Sequence, residues 1–225
     1  MRSVILRSFF LLAVVSGALV VSAAAQNCAR DDSDCNIRRY TQMINADPNN
    51  SEAYYNRAIY YRDTEKWTLA KADLDKYVSF SITDKGSLAD GYRVRAWVQH
   101  KAGNDTAAFA DIDKAFSVNP DESEGYYMRG MIYNAQKSYS NAVTQLTKYI
   151  AANASKPEFL ADGLYQRGFS YDADGKYDLA VKDLTDAIKL NPDNAGFYKE
   201  RAYAYRKLGK TALAVADEAK ARDLQ

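Results

Sequence analysis

A single histidine and two cysteines are all that 225 residues offer of the side chains that most often bind metals or serve as nucleophile and base. No G-x-S-x-G elbow, phosphate-binding loop or metal-ligand cluster accompanies them, so neither a catalytic role nor a metal or other cofactor is expected. His100 reads as a groove or surface residue, not a base. Charge of one sign is lacking too: 30 basic side chains face 29 acidic ones, with no basic stripe of the kind that tracks nucleic acid. Large apolar rings are few, 8 Phe and 2 Trp against 18 Tyr. A core built that way suggests many small helix contacts with hydroxyls near water, not one oily centre.

Long apolar runs are confined to the start. In "MRSVILRSFFLLAVVSGALVVSAAA", Arg2 and Arg7 precede an uncharged run from Phe9 to Val21 and small residues follow, the layout of a secretory signal peptide. Ala23 and Ala25 satisfy the small-x-small cleavage rule, so residues 1–25 are expected to be removed and Gln26 to begin an exported chain, periplasmic or secreted, with no stable membrane insertion. Retention as an anchor is the competing reading, although no basic cluster follows to stop transfer.

Both cysteines come next, in "QNCARDDSDC". A lipoprotein anchor needs a small residue before the acylated cysteine, and Cys28 follows Gln26-Asn27. Asp31, Asp32 and Asp34 lack the glycine of a calcium loop and the companions of a zinc site, and the spacing is not C-x-x-C. In an exported chain the simplest expectation is a disulfide between Cys28 and Cys35, worth about 2.5 kcal/mol by loop entropy. Residues 26–34 then form a clipped segment that fixes the start of the first helix.

Internal repetition sets the architecture. Pro48, Pro120 and Pro192 recur every 72 residues, each opening a turn before an aromatic-rich segment. Five segments align: "YYNRAIYYRDTEKWTLAKADLDKY", "YRVRAWVQHKAGNDTAAFADIDKA", "YYMRGMIYNAQKSYSNAVTQLTKY", "LYQRGFSYDADGKYDLAVKDLTDA" and "YKERAYAYRKLGKTALAVADEAKA". The small residue after the arginine falls at Ala58, Ala96, Gly130, Gly168 and Ala202, and the alternating spacing of 38 and 34 points to a doubled unit. Each segment reads as two helices with a break, often at glycine (Gly103, Gly175, Gly209). One such pair cannot bury both faces, so pairs must stack.

These residues resemble the tetratricopeptide repeat, with its aromatic, small residue, tyrosine, alanine and closing proline at this spacing. The resemblance covers nearly all of the chain after Asp34. It implies an all-α fold, a right-handed α-solenoid of stacked antiparallel helix pairs over residues 35–225, with repeats starting near 51, 89, 123, 161 and 195. "CNIRRYTQMINADP" matches only a second helix and is expected as a lone N-terminal helix. Gln99 replaces the usual tyrosine, and Ile82 and Ala154 replace the closing proline. Extra residues around "SITDKGS" and "NASKPE" should lengthen second helices or widen loops. No polar helix caps "TALAVADEAKARDL", whose alanine face is either a self-association surface or a tolerated loose end.

Two columns of charge invite comparison. Arg57, Arg95, Arg129, Arg167 and Arg201 recur before the small residue; Asp73, Asp111, Asp183 and Asp217 recur on the facing helix, with Gln145 in the third copy. Half-buried arginine needs such a partner, so the columns are expected to be structural ion pairs, with Gln145 accepting a hydrogen bond.

The opposite face of the first helices lines the ligand groove in proteins of the resembled family. Here it offers Tyr55, Ile59 and Arg62; Arg93, Trp97 and His100; Tyr127 and Met131; Tyr165 and Phe169; and Lys199, Tyr203 and Arg206, an aromatic channel with basic ends. Such side chains are enriched at interface centres, while packing between repeats is the bland alternative. The acidic row Glu52, Asp90, Glu124 and Asp162 starts those helices, where negative charge favours the dipole. The expectation is a non-catalytic adaptor or scaffold of the bacterial cell envelope that holds a protein or peptide with apolar anchors and some acidic residues. Self-association into a homo-oligomer through the C-terminal end is the alternative.

Overall fold

The structure is a computed structural model that describes residues 28–225. The leader and its cleavage site lie outside the described residues. Eleven helices are present among those described. Helix α1 (Ser33–Ala46) stands alone against α2. Five pairs follow: α2 (Ser51–Asp63) with α3 (Trp67–Ser79), α4 (Lys85–Lys101) with α5 (Asp105–Val118), α6 (Glu124–Ala135) with α7 (Tyr139–Ala152), α8 (Pro157–Ala173) with α9 (Tyr177–Leu190), and α10 (Ala195–Lys207) with α11 (Thr211–Asp223). Each pair packs on the next, the stacked arrangement that the repeat pattern implied.

The break inside each pair is one motif used five times. Gly103, Gly175 and Gly209 take φ of 82°, 75° and 71°, and Glu65 and Lys137 occupy the same place in the first and third copies at 56° and 58°. The following amide then bonds back to the first helix: Lys66 to the Tyr61 carbonyl, Asn104 to Gln99, Ser138 to Tyr133 and Lys176 to Tyr171 at 2.8 Å, and Lys210 to Tyr205 at 2.9 Å. This is the left-handed turn and six-to-one bond that closes a helix C-terminus, and only glycine adopts that φ without strain.

Close approach of the helices accounts for the small-residue column. A Cβ on Gly130 would lie 2.6 Å from Leu146 Cγ, and one on Gly168 would lie 3.0 Å from Leu184 Cγ. Contacts between pairs repeat with the doubled unit. Tyr77 and Tyr149 end the second helices of the first and third pairs, and each fills the hollow left by a glycine on the next first helix. A Cβ on Gly91 would come within 2.3 Å of the Tyr77 ring, and one on Gly163 within 2.8 Å of Tyr149. After the fourth pair the exchange reverses, with Ala187 at the second-helix position and buried Phe197 on the next first helix.

The extra residues of the two long copies lengthen the first helices, not the second ones. Helices α4 and α8 run 17 residues, against 12 or 13 for the other first helices. They begin at Lys85 and Pro157, a turn ahead of the expected starts at 89 and 161. The local signals explain this: Asp84 accepts the Ser87 amide at 2.7 Å as an N-cap, and Pro157 sits where a missing amide is harmless.

Four of the five charge pairs form as expected. Nε and Nη2 of the arginine reach both oxygens of the aspartate at 2.7 Å in Arg57–Asp73, 2.6 and 2.7 Å in Arg95–Asp111, 2.7 and 2.9 Å in Arg167–Asp183, and 2.7 and 2.8 Å in Arg201–Asp217. The third copy departs. Gln145 Oε1 and Arg129 Nε are both buried without a partner, and Arg129 turns to Asp113 of the preceding pair. A neutral amide lacks the two equivalent oxygens that hold a guanidinium in that fork.

At the N-terminus, Cys28 and Cys35 form a disulfide. Asp32 caps α1 through the Cys35 amide at 2.9 Å, and Asn36 Nδ2 bonds the Ala29 and Asp32 carbonyls at 2.8 and 2.9 Å. The clip therefore holds the segment against the helix that covers the first pair.

Candidate functional site

The face at intervals of four and three on successive first helices carries all thirteen candidate residues. Three helices combine to make a pocket there, of about 340 Å³. Arg62 comes from α2, Arg93 and Trp97 from α4, and Tyr127 and Met131 from α6, joined by Val94, Glu124 and Met128. Tyr127 leans on Tyr149 of its own second helix, ring centroids 5.0 Å apart, and Trp97 lies 5.7 Å from the His100 ring. Both rings are half-buried, with one side packed and one side on the pocket.

The other candidates sit outside that pocket. Tyr55 lines a larger cavity of about 750 Å³ beneath the α3–α4 connection, with Tyr77, Phe80, Asp84 and Asp90. Its hydroxyl donates to Asp90 of α4, and burial followed by that carboxylate raises its pKa. Ile59 packs with the cluster around Leu74 and Val98. Tyr165 packs on Phe197 with ring centroids 5.1 Å apart and the planes tilted by 33°. Towards the C-terminus the face opens: Phe169 is 38% and Tyr203 49% exposed, and Lys199 is exposed.

Charge on this face differs from a channel with basic ends, because most of its cations are committed. Arg62 Nε donates to Asp63 at 2.8 Å, Arg93 pairs with Asp90, and Arg206 grips Glu218 of α11 through two bonds of 2.7 and 2.8 Å. His100 Nδ1 lies 2.6 Å from Asp105 on α5, which also accepts from Gln136 Nε2 at 2.6 Å. Burial would raise the Asp105 pKa, but the bonds from His100 and Gln136 outweigh it and hold it low. The carboxyls behave in the opposite way. Burial raises the pKa of Glu124, with Arg93 only partly opposing, and burial raises that of Glu200.

One residue of this face escaped the sequence reading. Asp172 stands in the fourth copy where Arg62, His100 and Arg206 stand in theirs. It is 6% exposed, and neither carboxylate oxygen has a partner. Burial, reinforced by Glu200, pushes its pKa up to about 7. The five-copy alignment carries the position, but nothing local in "SYDADG" marks it as buried.

Among the described residues no group of His, Cys, Asp and Glu side chains could hold a metal ion, and no helix is long and apolar enough to cross a membrane. The chain matches no curated protein at significant similarity. Several solved structures share the fold. A fragment of MamA from Desulfovibrio magneticus RS-1 is similar over 77% of this chain and 94% of its own, at 17% identity and a TM-score of 0.63. BtubC from P. vanneervenii is similar over 85% of this chain and 87% of its own, at 12% identity and a TM-score of 0.71. The C-terminal part of a TPR repeat-containing protein from Cytophaga hutchinsonii is similar over 85% of this chain and 73% of its own, at 19% identity and a TM-score of 0.66. Models of the tetratricopeptide-repeat family match residues 40–72, 123–156, 161–194 and 184–216. Repeats of this kind typically form non-catalytic scaffolds for protein partners, and the matched segments together with the stacked helix pairs make this chain a tetratricopeptide-repeat protein.

Proposed function

We propose that this chain is a non-catalytic adaptor of the bacterial cell envelope that docks a protein or peptide segment along the shared face of its first helices. The observation that carries the reading is the pocket spanning α2, α4 and α6. A cavity of about 340 Å³ walled by Trp97, Tyr127 and Met131 and rimmed by Arg62 and Arg93 suits an apolar anchor side chain. Aromatic, methionine and arginine side chains concentrate binding energy at interface centres. The envelope location draws its support from the leader pattern and from the Cys28–Cys35 disulfide, since structural disulfides persist in oxidising compartments.

The test is crosslinked capture from envelope fractions of the source cell, with the mature wild type beside a Trp97→Ala/Tyr127→Ala variant whose helicity is verified by circular dichroism. A partner held by the wild type and lost from the folded variant is expected. A partner held equally by both refutes the pocket as the docking site.

Self-association is the second reading, favoured by Val215 of α11. Its counterpart Val181 is half-buried in the cluster shared with Ala204 of the next pair, whereas Val215 is 49% exposed. Mass that rises with protein concentration in light scattering, and stops rising with Val215→Lys, would support it.

A further inference from the structure

Three buried polar atoms on the groove face lack partners, and they lie in one register. Asn134 on α6 and Asp172 on α8 are corresponding residues of the third and fourth copies. Asn134 Nδ2 and both Asp172 carboxylate oxygens are buried with no hydrogen bond. Ser170, fully buried, lies 2.9 Å from both Asn134 Oδ1 and the Gln166 carbonyl, and its single proton serves one of them. An orphaned buried carboxylate is among the least tolerable groups in a native structure: it takes up a proton or finds a ligand or counter-ion.

No cation of this chain answers the call among the described residues. Arg167 of the same helix is committed to Asp183, and Lys176 lies 2.7 Å from Asp174. On the neighbouring elements Arg201 is committed to Asp217, and Lys210 lies 3.5 Å from Asp178. Lys199 is exposed and makes no ion pair. The charge that acts on Asp172 is Glu200 of α10, of like sign, itself half-buried and close enough to raise the Tyr165 pKa as well. Two exposed rings lie one turn away along the same helices: Phe169 three residues before Asp172 and Tyr203 three residues after Glu200. The Tyr203 ring already draws Lys207 Nζ to 5.2 Å, a cation–π distance.

We propose that the groove face between α8 and α10 is a subsite for the guanidinium or ammonium group of an arginine or lysine on the docked segment, with Asp172 and Glu200 as its anionic floor and Phe169 and Tyr203 as its walls. The subsite rests on the groove reading above and adds a charge requirement to it. The docked segment carries an apolar anchor for the pocket of α2, α4 and α6 and a basic residue towards α8 and α10. A cation entering there supplies the partner that both Asp172 carboxylate oxygens lack within the chain.

The experiment selects phage-displayed random peptides of about twelve residues against the mature wild type at pH 8, above the pKa of about 7 to which burial lifts Asp172. Selected peptides are resynthesised and titrated against wild type, Asp172→Asn and Trp97→Ala. The isosteric Asp172→Asn variant removes an uncompensated charge and keeps the fold. Enrichment of a basic residue at a constant distance from an aromatic or aliphatic one is expected. Asp172→Asn should weaken those peptides about tenfold, as loss of a charge-assisted bond does, and should leave their lysine-to-norleucine analogues unchanged. Peptides that bind wild type and Asp172→Asn alike but fail on Trp97→Ala overturn the subsite and leave the groove standing. Peptides weakened by Asp172→Asn and indifferent to Trp97→Ala uphold the subsite and refute the aromatic pocket. Absence of any selected binder, or binding indifferent to both variants, overturns both.

Discussion

Gln145→Asp should complete the ladder of ion pairs that the third copy leaves open. In the other four copies an arginine of the first helix holds an aspartate sixteen residues on through two bonds of 2.6 to 2.9 Å. Arg129 is in the same register, 21% exposed at its side chain, and its Nε has no acceptor. Two charge-assisted bonds contribute about 1.5–3 kcal/mol each, and satisfying the orphaned Nε removes a further penalty; desolvating the new carboxylate takes back several kcal/mol. The net expectation is a gain of about 1–2 kcal/mol, or roughly 2–8 °C in melting temperature for a domain of this size. The opposite exchange, Asp183→Gln, strands Arg167 and should lose about 3 kcal/mol. Urea unfolding followed by circular dichroism, repeated in an Arg129→Met background, isolates the pair. If Gln145→Asp stabilises equally without Arg129, or destabilises with it, the ladder is not what the aspartate column is for.

Other perturbations follow from the same geometry. Glu65→Gly and Lys137→Gly, at φ of 56° and 58°, should each stabilise by about 0.5–1 kcal/mol in the same urea assay, while Gly103→Ala should lose a similar amount. Gly163→Ala places a methyl 2.8 Å from Tyr149 Cδ1 and 2.9 Å from Ile150 Cγ1, and overpacking of that kind should destabilise by about 1–3 kcal/mol; an unchanged urea midpoint would mean the α7–α8 contact is looser than described. Asp172 gives a pH signature. Its folded pKa of about 7 lies above its unfolded value near 3.8, so its contribution is fully present below about pH 4 and is lost as pH rises through 7. Asp172→Asn should therefore gain on wild type by at most about 1.4 kcal/mol per pH unit between those limits and hold a constant advantage above them; a pH-independent difference would contradict the burial of that carboxyl.

The sequence by itself determined the repeat number, the two-helix unit and the ion-pair columns, because these rest on local periodicity and on spacings repeated five times. Arg57 and Asp73, for instance, are legible as partners from their recurrence alone. It also carried the doubled unit, although the contacts that recur with it, Tyr77 against Gly91 and Tyr149 against Gly163, appear only when one pair is stacked on the next. The tertiary structure decided the charge of the groove. Whether Arg93 is a free cation depends on Asp90 one turn earlier, and whether Arg206 is free depends on Glu218 of the following helix. The lengthened α4 and α8 were half legible, in Pro157 at a helix start and Asp84 as a cap, and were missed because the five-copy alignment begins after them. Burial of Asp172 was not legible at all: its residue type belongs on a surface, and its removal from water arises only when the helix pairs are stacked. Spacing along the chain sets which side chains share a face, but their solvation and ionisation depend on what the neighbouring repeat lays over them.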